Sequence, residues 1–395
     1  MNAQVFHVSL ARQRERTAAP EALARGGARV MLGARAETLD DILLATASIV
    51  PAADTLFGPR GATIARDGAL WVCDTGHHRL LGWPSLPDRD GEAATWLFGQ
   101  PDFDREGRNA NGPVSAQTLN VPTGICAVGD GLAVADAWNH RVLIWLRSPA
   151  SSHQAPDVVL GQADLDSGGI NRGCDGPAAD TLYWPYGVHF DGERLWVADT
   201  GNRRVLRWDR VPERNGQAAD GVLGQPDFLH RDENAGGIDA GSLRWPHAIA
   251  HWNGGLAVAD AGNNRVLFWR DAAPRDHAPA DIVIGQRDAQ AVDHNRGEYW
   301  PTAGSFNMPY AVAVHRGRLL VGDTANSRIL RYDAPDDAEA LALAGQFSFA
   351  DKGDNRWQPA TRESICWPYN LSVHGDLCVI ADSGNNRVLL WEIAG

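Results

Sequence analysis

Lysine is almost missing from this chain: Lys352 is the only one among 36 basic residues. Its positive charge is therefore arginine, which points to GC-rich coding rather than to a particular chemistry. Acidic residues outnumber basic ones, and the net charge is −13. An acidic surface repels phosphate backbones, so nucleic-acid binding would need a local basic patch. Cysteine is sparse, at five residues with no C-x-x-C spacing, which excludes a zinc ribbon or a redox pair of that type. Cys73, Cys126 and Cys378 fall in apolar strand patterns and are expected as buried thiols, whereas Cys174 and Cys366 lie in loops. The stretch Met1 to Gly27 carries several arginines and no apolar run long enough for a signal core or a membrane span. No membrane association is expected, and a cytoplasmic location follows. H-E-x-x-H, Gly-x-Ser-x-Gly and a phosphate-binding glycine loop are all missing. Abundant instead are glycine and proline, 42 and 22 residues, as suits an all-β chain with many turns.

The chain repeats itself. Six apolar runs end in aspartate: Leu70 to Asp74, Leu132 to Asp136, Leu195 to Asp199, Leu256 to Asp260, Leu319 to Asp323 and Leu377 to Asp382. Five residues after each aspartate stands an arginine (Arg79, Arg141, Arg204, Arg265, Arg328, Arg387). Four further on stands an aromatic (Trp83, Trp145, Trp208, Trp269, Tyr332, Trp391). The aspartates recur every 59 to 63 residues. Upstream of each run lies a proline: Pro59, Pro122, Pro185, Pro246, Pro309 or Pro368. Alternating residues after the proline read as a first strand. The Asp run is a second, Arg-Val-Leu-x-Trp a third, and short runs such as Val158-Val-Leu a fourth. Four short strands per repeat of this length make a propeller blade. The predicted fold is therefore all-β: a six-bladed β-propeller of four-stranded antiparallel blades spanning 29–395, after an N-terminal extension at 1–28. The sixth copy lacks a fourth strand, and Arg29-Val-Met-Leu-Gly33 supplies one, closing the ring through blade 6.

Asp136-Ala-Trp-Asn139-His140-Arg141-Val142-Leu143 and its counterpart Asp382 to Leu389 resemble the NHL repeat, and the resemblance covers Gly33 to Trp391 in all six copies. It implies the fold strongly and the function weakly, because one fold hosts many functions. Similar propellers include RNA-binding domains of tripartite-motif proteins, the peptidyl-hydroxyglycine amidating lyase, extracellular protein-binding modules and bacterial accessory proteins. The amidating lyase holds a metal on three channel histidines. Here only His247 falls at the corresponding channel-mouth level, so no metal site is assigned and the cofactor is left unknown. His189, His251, His315 and His374 lie further along their strands at inequivalent positions, and His77-His78 sits in a turn and is expected to be solvated.

Positions shared by every blade are expected to build the scaffold. These include the Asp–Arg pairs, the third-strand aromatics, and the asparagines Asn109, Asn171, Asn234, Asn295 and Asn355 that follow a Gly-Gln-x-Asp-like motif. Asparagine there suits a left-handed loop residue. Function is sought where copies differ. The residues after each repeat proline, Arg60, Thr123, Tyr186, His247, Tyr310 and Tyr369, are expected to ring the channel mouth. Three copies apart means face to face across the axis, so Arg60 is set opposite His247, Thr123 opposite Tyr310, and Tyr186 opposite Tyr369. The flanking Trp184, Trp245 and Trp367 join them as candidate ligand-binding residues. One cation, one imidazole and several phenols suit an anionic ligand or an extended peptide; they equally suit a plug that only fills the mouth. The lead-in loop of blade 1 departs from the pattern. Thr38 with Asp41 resembles a capping box, which predicts a short helix over Thr38 to Ser48, acting as a lid or a plug. Two function classes remain: a binding scaffold for a protein partner or small ligand, or a lyase or hydrolase working at the channel with a metal or with arginine, histidine and tyrosine.

Overall fold

Second strands such as Leu195–Asp199 and Gly255–Asp260 are buried along their whole length, on both faces. A strand reads as continuous apolar sequence when both faces of its sheet are covered. Here each blade is covered by the blades on either side. In the computed structural model, which describes residues 17–39 and 42–395, the repeats form six four-stranded antiparallel sheets. Blade 3 is representative. Pro185–Phe190 pairs with Leu195–Asp199, then Arg204–Trp208, then Gly221–Leu223, in sequence order from the inside out. The six first strands contact one another in succession, and the sixth contacts the first, so the ring is closed around a central channel. Apolar side chains gather into six clusters, one at each blade interface. Between blades 1 and 2, for example, Trp71 stacks on Trp96, and Phe98 meets Trp145 edge-on.

Ring closure runs through the N-terminal side of the chain, as expected from Arg29 to Gly33. Val30–Leu32 is the outer strand of blade 6, with Val30 opposite Leu390 and Leu32 opposite Val388. Its exposed edge is capped: Asp90 of blade 1 accepts the Met31 N–H at 2.9 Å. The same device protects the outer strands of blades 1, 2 and 3, where Ser152, Asn215 and Asp276 each accept one N–H from the preceding blade. An uncovered strand edge is a template for unwanted pairing, so these caps are a repeated safeguard. Closure extends beyond the expected strand. Ala22 donates to Leu343 O at 2.9 Å and Ala24 to Glu392 O at 2.8 Å, so residues 20–24 bridge blades 5 and 6.

The expected helix over Thr38 to Ser48 is not formed. Ala34–Leu39 and Ile42–Ala47 make a two-stranded antiparallel hairpin, with Ala34 opposite Ala47 and Leu39 opposite Ile42. Asp40 and Asp41, and with them half of the expected capping box, lie outside the described residues. The chain leaves the closing strand already extended. Ala45 then donates to Ala360 O at 2.9 Å, and Ala36 and Ala45 pack against the blade 5–6 core. Those tertiary contacts outweigh a local helical preference.

Candidate binding site at the channel mouth

The site stands on a frame of buried ion pairs. In every blade the arginine that opens the third strand donates its Nε to the aspartate that ends the second, at 2.7–2.9 Å, with both side chains fully buried. The guanidinium also ties down loops. Arg204 donates to Phe228 O in the next lead-in loop, and to Ala178 O and Thr181 O in its own. The second aspartate oxygen accepts a backbone N–H just ahead of the proline, Tyr183 N at 2.7 Å in this blade. The asparagines Asn109, Asn171, Asn234, Asn295 and Asn355 adopt the expected left-handed backbone, with φ of 47° to 51°. Each faces an asparagine in the turn after the aspartate; Asn171 and Asn202 exchange amide hydrogen bonds. Gln162 of the Gly-Gln motif donates to the carbonyls of His140 and Gly169, holding turn and loop together.

A second device aims the residues around the mouth. In five of the six blades the fourth residue after the aspartate accepts from the backbone N–H of the residue before the next blade's proline. His78 Nδ1 accepts Val121 N at 3.0 Å, His140 Nδ1 accepts Trp184 N at 3.2 Å and Asn264 accepts Met308 N at 2.7 Å. Ser327 and Asn386 accept Trp367 N and Gly58 N in the same way. The acceptor stabilises a left-handed backbone at Val121, Trp184, Met308 and Trp367, whose φ values lie between 48° and 56°. That conformation is costly for bulky residues. The Trp184 and Trp367 indoles are 38% and 49% exposed.

One residue further on, five of the six mouth residues meet. Arg60 lies 4.6 Å over the Tyr369 ring. Tyr369 lies 4.6 Å from Tyr310, Tyr310 stacks on His247 at 4.2 Å, and His247 lies 5.0 Å from Tyr186. The contacts thus run between neighbouring blades. The facing pair Arg60 and His247 interacts through charge, and burial together with the Arg60 cation holds the imidazole down at about 4. His247 is neutral at physiological pH. Its Nδ1 donates to Trp245 O at 3.0 Å, because a carbonyl can only accept, and Nε2 is left as an acceptor. Burial also pushes the Tyr310 hydroxyl well above its ordinary range. Thr123 is the exception: it is buried and donates to the Tyr186 carbonyl at 3.1 Å, so it serves the wall rather than the opening.

Tyr186, His247, Tyr310 and Tyr369 line two cavities at once. One, of about 550 Å³, opens on the outer face over blades 3 and 4; the other, of about 330 Å³, is the channel beneath. The ring is a septum between them. A profile of the NHL repeat matches residues 119–145, which carry the blade 2 latch and turn. The chain is a six-bladed β-propeller with an NHL-type repeat in blade 2. It is similar to NHL repeat-containing protein 2 of Homo sapiens, 23% identical over 351 residues that span 82% of this chain and 45% of the relative. The Gallus gallus protein of that name is 22% identical over 369 residues, 87% of this chain and 47% of its own. The chain thus spans about half the length of the curated relatives it matches. Among solved structures, Kuenenia stuttgartiensis hydrazine synthase aligns over 86% of this chain and 96% of its own, with 12% identity and a TM-score of 0.47. Virginiamycin B lyase from Staphylococcus aureus aligns over 87% and 98%, with 11% identity and a TM-score of 0.45. Likeness at that level carries no argument about function.

Several side chains of the propeller sit differently from the sequence expectation. His77 is fully buried rather than solvated. It replaces the turn asparagine in the one blade whose lead-in loop lacks the partner asparagine, and bridges Asp74 at 2.7 Å and Ile49 O at 2.8 Å. Burial opposes its charge, but the Asp74 carboxylate and the Ile49 carbonyl prevail and its pKa is raised. At the far end of the channel His189 and His251 converge, 3.0 Å apart, despite inequivalent repeat positions. His251 donates Nε2–H to Ala272 O, so its Nδ1 accepts from His189. His315 instead meets Asp376. Among the described residues no three His, Cys, Asp or Glu side chains form a group that could hold a metal ion. Cys73 and Cys378 are buried as expected, whereas Cys126 is partly exposed along the channel. No helix among the described residues is long and apolar enough to cross a membrane.

Proposed function

We propose that this chain is a binding scaffold that holds a protein partner or a small anionic ligand on the outer face around its channel mouth. The observation that carries this reading is the contrast between frame and mouth. The Asp–Arg latches repeat in all six blades, whereas the ring Arg60, Tyr186, His247, Tyr310 and Tyr369 differs from blade to blade and is flanked by exposed indoles. Loops on a rigid frame are where recognition residues collect, and aromatic and arginine side chains dominate the energetics of such surfaces. Cytoplasmic residence, expected from the sequence, is carried as part of the proposal.

The test is a triple substitution, Trp184→Ala, Trp245→Ala and Trp367→Ala, compared with the unchanged chain in affinity capture from its host extract. Species held by the unchanged chain and lost by the variant, with the melting temperature kept within a few degrees, are the expected result. An unaltered set of captured species overturns the proposal.

A further inference from the structure

The clasp between blades is broken once, between blades 3 and 4. In the other five blades the residue four past the aspartate offers an acceptor to the N–H before the next proline. Asn264 shows both halves of the device: its amide donates to Val292 O at 2.8 Å while its oxygen accepts Met308 N. Blade 3 has Arg203, which has no acceptor. It keeps the donor half, reaching Arg231 O at 2.9 Å, and leaves the Trp245 N–H without its clasp. Trp245 accordingly lacks the left-handed backbone of its counterparts, and its carbonyl accepts from both Ala261 N and His247 Nδ1.

The 550 Å³ cavity opens at this break, within the size range of small-molecule sites. Arg203 and Arg231 line it, and no carboxylate does. Neither guanidinium pairs with a carboxylate among the described residues, and Arg203 Nε is buried without a hydrogen-bond partner there. In a chain of net charge −13, two uncompensated arginines in one carboxylate-free pocket mark a place for an anion. The walls are aromatic: Trp184, Trp245 and Tyr186 stand beside His247, whose Nε2 remains an acceptor.

We infer that this pocket binds a small planar aromatic anion, its oxyanion on Arg203 and Arg231 and its ring against the Trp184 and Trp245 indoles. The inference rests on the binding-scaffold reading and deepens it, by placing the ligand off the axis at blades 3 and 4. A guanidinium matches carboxylate and phosphate oxygens alike, so the shared chemistry is an aromatic ring bearing either group.

The experiment titrates the full chain with indole-3-acetate and phenyl phosphate, whose relative affinities separate the two oxyanions. Benzyl alcohol and inorganic phosphate are the neutral and the ringless controls, and tryptophan fluorescence and calorimetry are the readouts. At least one aromatic anion is expected to bind ten-fold or more tighter than both controls. Arg203→Asn installs the residue that blade 4 carries at this position; it is expected to weaken binding by about 10- to 100-fold, the loss of a charge-assisted contact. Arg231→Gln, on the more exposed loop, provides a second variant should the first disturb folding, with the same expected direction. Failure of every aromatic anion to bind at millimolar concentration, or equal binding by a control, overturns the inference. Binding that survives both arginine variants but is lost in Arg60→Ala/His247→Ala overturns the off-axis pocket and leaves the mouth reading standing. Binding indifferent to all of these variants overturns both.

Discussion

Arg204 offers the sharpest test of the frame. Its guanidinium is fully buried, donates Nε to Asp199 at 2.8 Å, and supplies the hydrogen bonds to Phe228 O, Ala178 O and Thr181 O. Arg204→Met keeps an apolar stem of similar length and removes all four contacts. Asp199 still accepts Tyr183 N and Asn202 Nδ2, but it is left as a buried carboxylate with no cation. Breaking a buried pair in this way costs about 3–5 kcal/mol. A whole domain is stable by only about 5–15 kcal/mol, so one latch is a large share of the total. Asp199→Asn in the same background removes the stranded charge. The double variant is therefore expected to recover about 2 kcal/mol relative to the sum of the single losses, within the range of coupled neighbours. Guanidinium denaturation followed by near-ultraviolet circular dichroism reads both quantities. A loss below about 1 kcal/mol in Arg204→Met, or strict additivity of the pair, would refute the view that these latches hold the loops in place.

Two further outcomes follow from the same geometry. Met31→Pro removes the N–H that Asp90 accepts and disturbs the strand that closes blade 6; a loss of about 3 kcal/mol or more is expected, with new protease cleavage near the closing strand seen by mass spectrometry. Acid is expected to weaken the fold between about pH 6.5 and 4. Burial holds His140, His247 and His78 at about 4, Arg108 adding to it at His78, and burial holds His189 at about 3. These groups stay neutral in the folded state while the unfolded chain takes up protons, so stability is full above about pH 6.5 and falls as pH drops, by about 1.4 kcal/mol per pH unit for each proton. His77, whose pKa is raised, runs the other way: its contribution is present below about pH 6.5 and is lost as pH rises through its folded value. His77→Asn is expected to abolish that alkaline-side loss in denaturation curves taken across the pH range and to leave the acid-side loss intact.

The frame was legible because each of its parts repeats. The Asp–Arg spacing, the asparagines and the missing fourth strand of the last copy are periodic features, and the structure places the latches, the left-handed loop residues and the Val30–Leu32 closure as the repeats imply. The site was only partly legible, since its identity lies in departures from the period. The mouth residues were found from their place after the proline, but their contacts run to neighbouring blades rather than across the axis, which follows from side-chain reach and not from spacing. Arg203 was missed although a signal was present: it is the one residue at its repeat position that cannot accept a hydrogen bond. His77 was misread for a related reason, since its role appears only when the missing asparagine of its own lead-in loop is set beside it. The hairpin Ala34–Leu39 with Ile42–Ala47 was read as a helix because a short apolar stretch fits either period, and only tertiary pairing decides between them.

The central claim is that recognition lives in the unequal residues around the mouth while stability lives in the repeated frame. Arg60→Ala/His247→Ala, assayed for ligand or partner affinity and for melting temperature on the same preparation, tests it most directly. The expected result is a melting temperature within a few degrees of the unchanged chain and an affinity lowered by about ten-fold or more, as befits loss of a charged contact. Unchanged affinity, or a collapse of the fold, would contradict it.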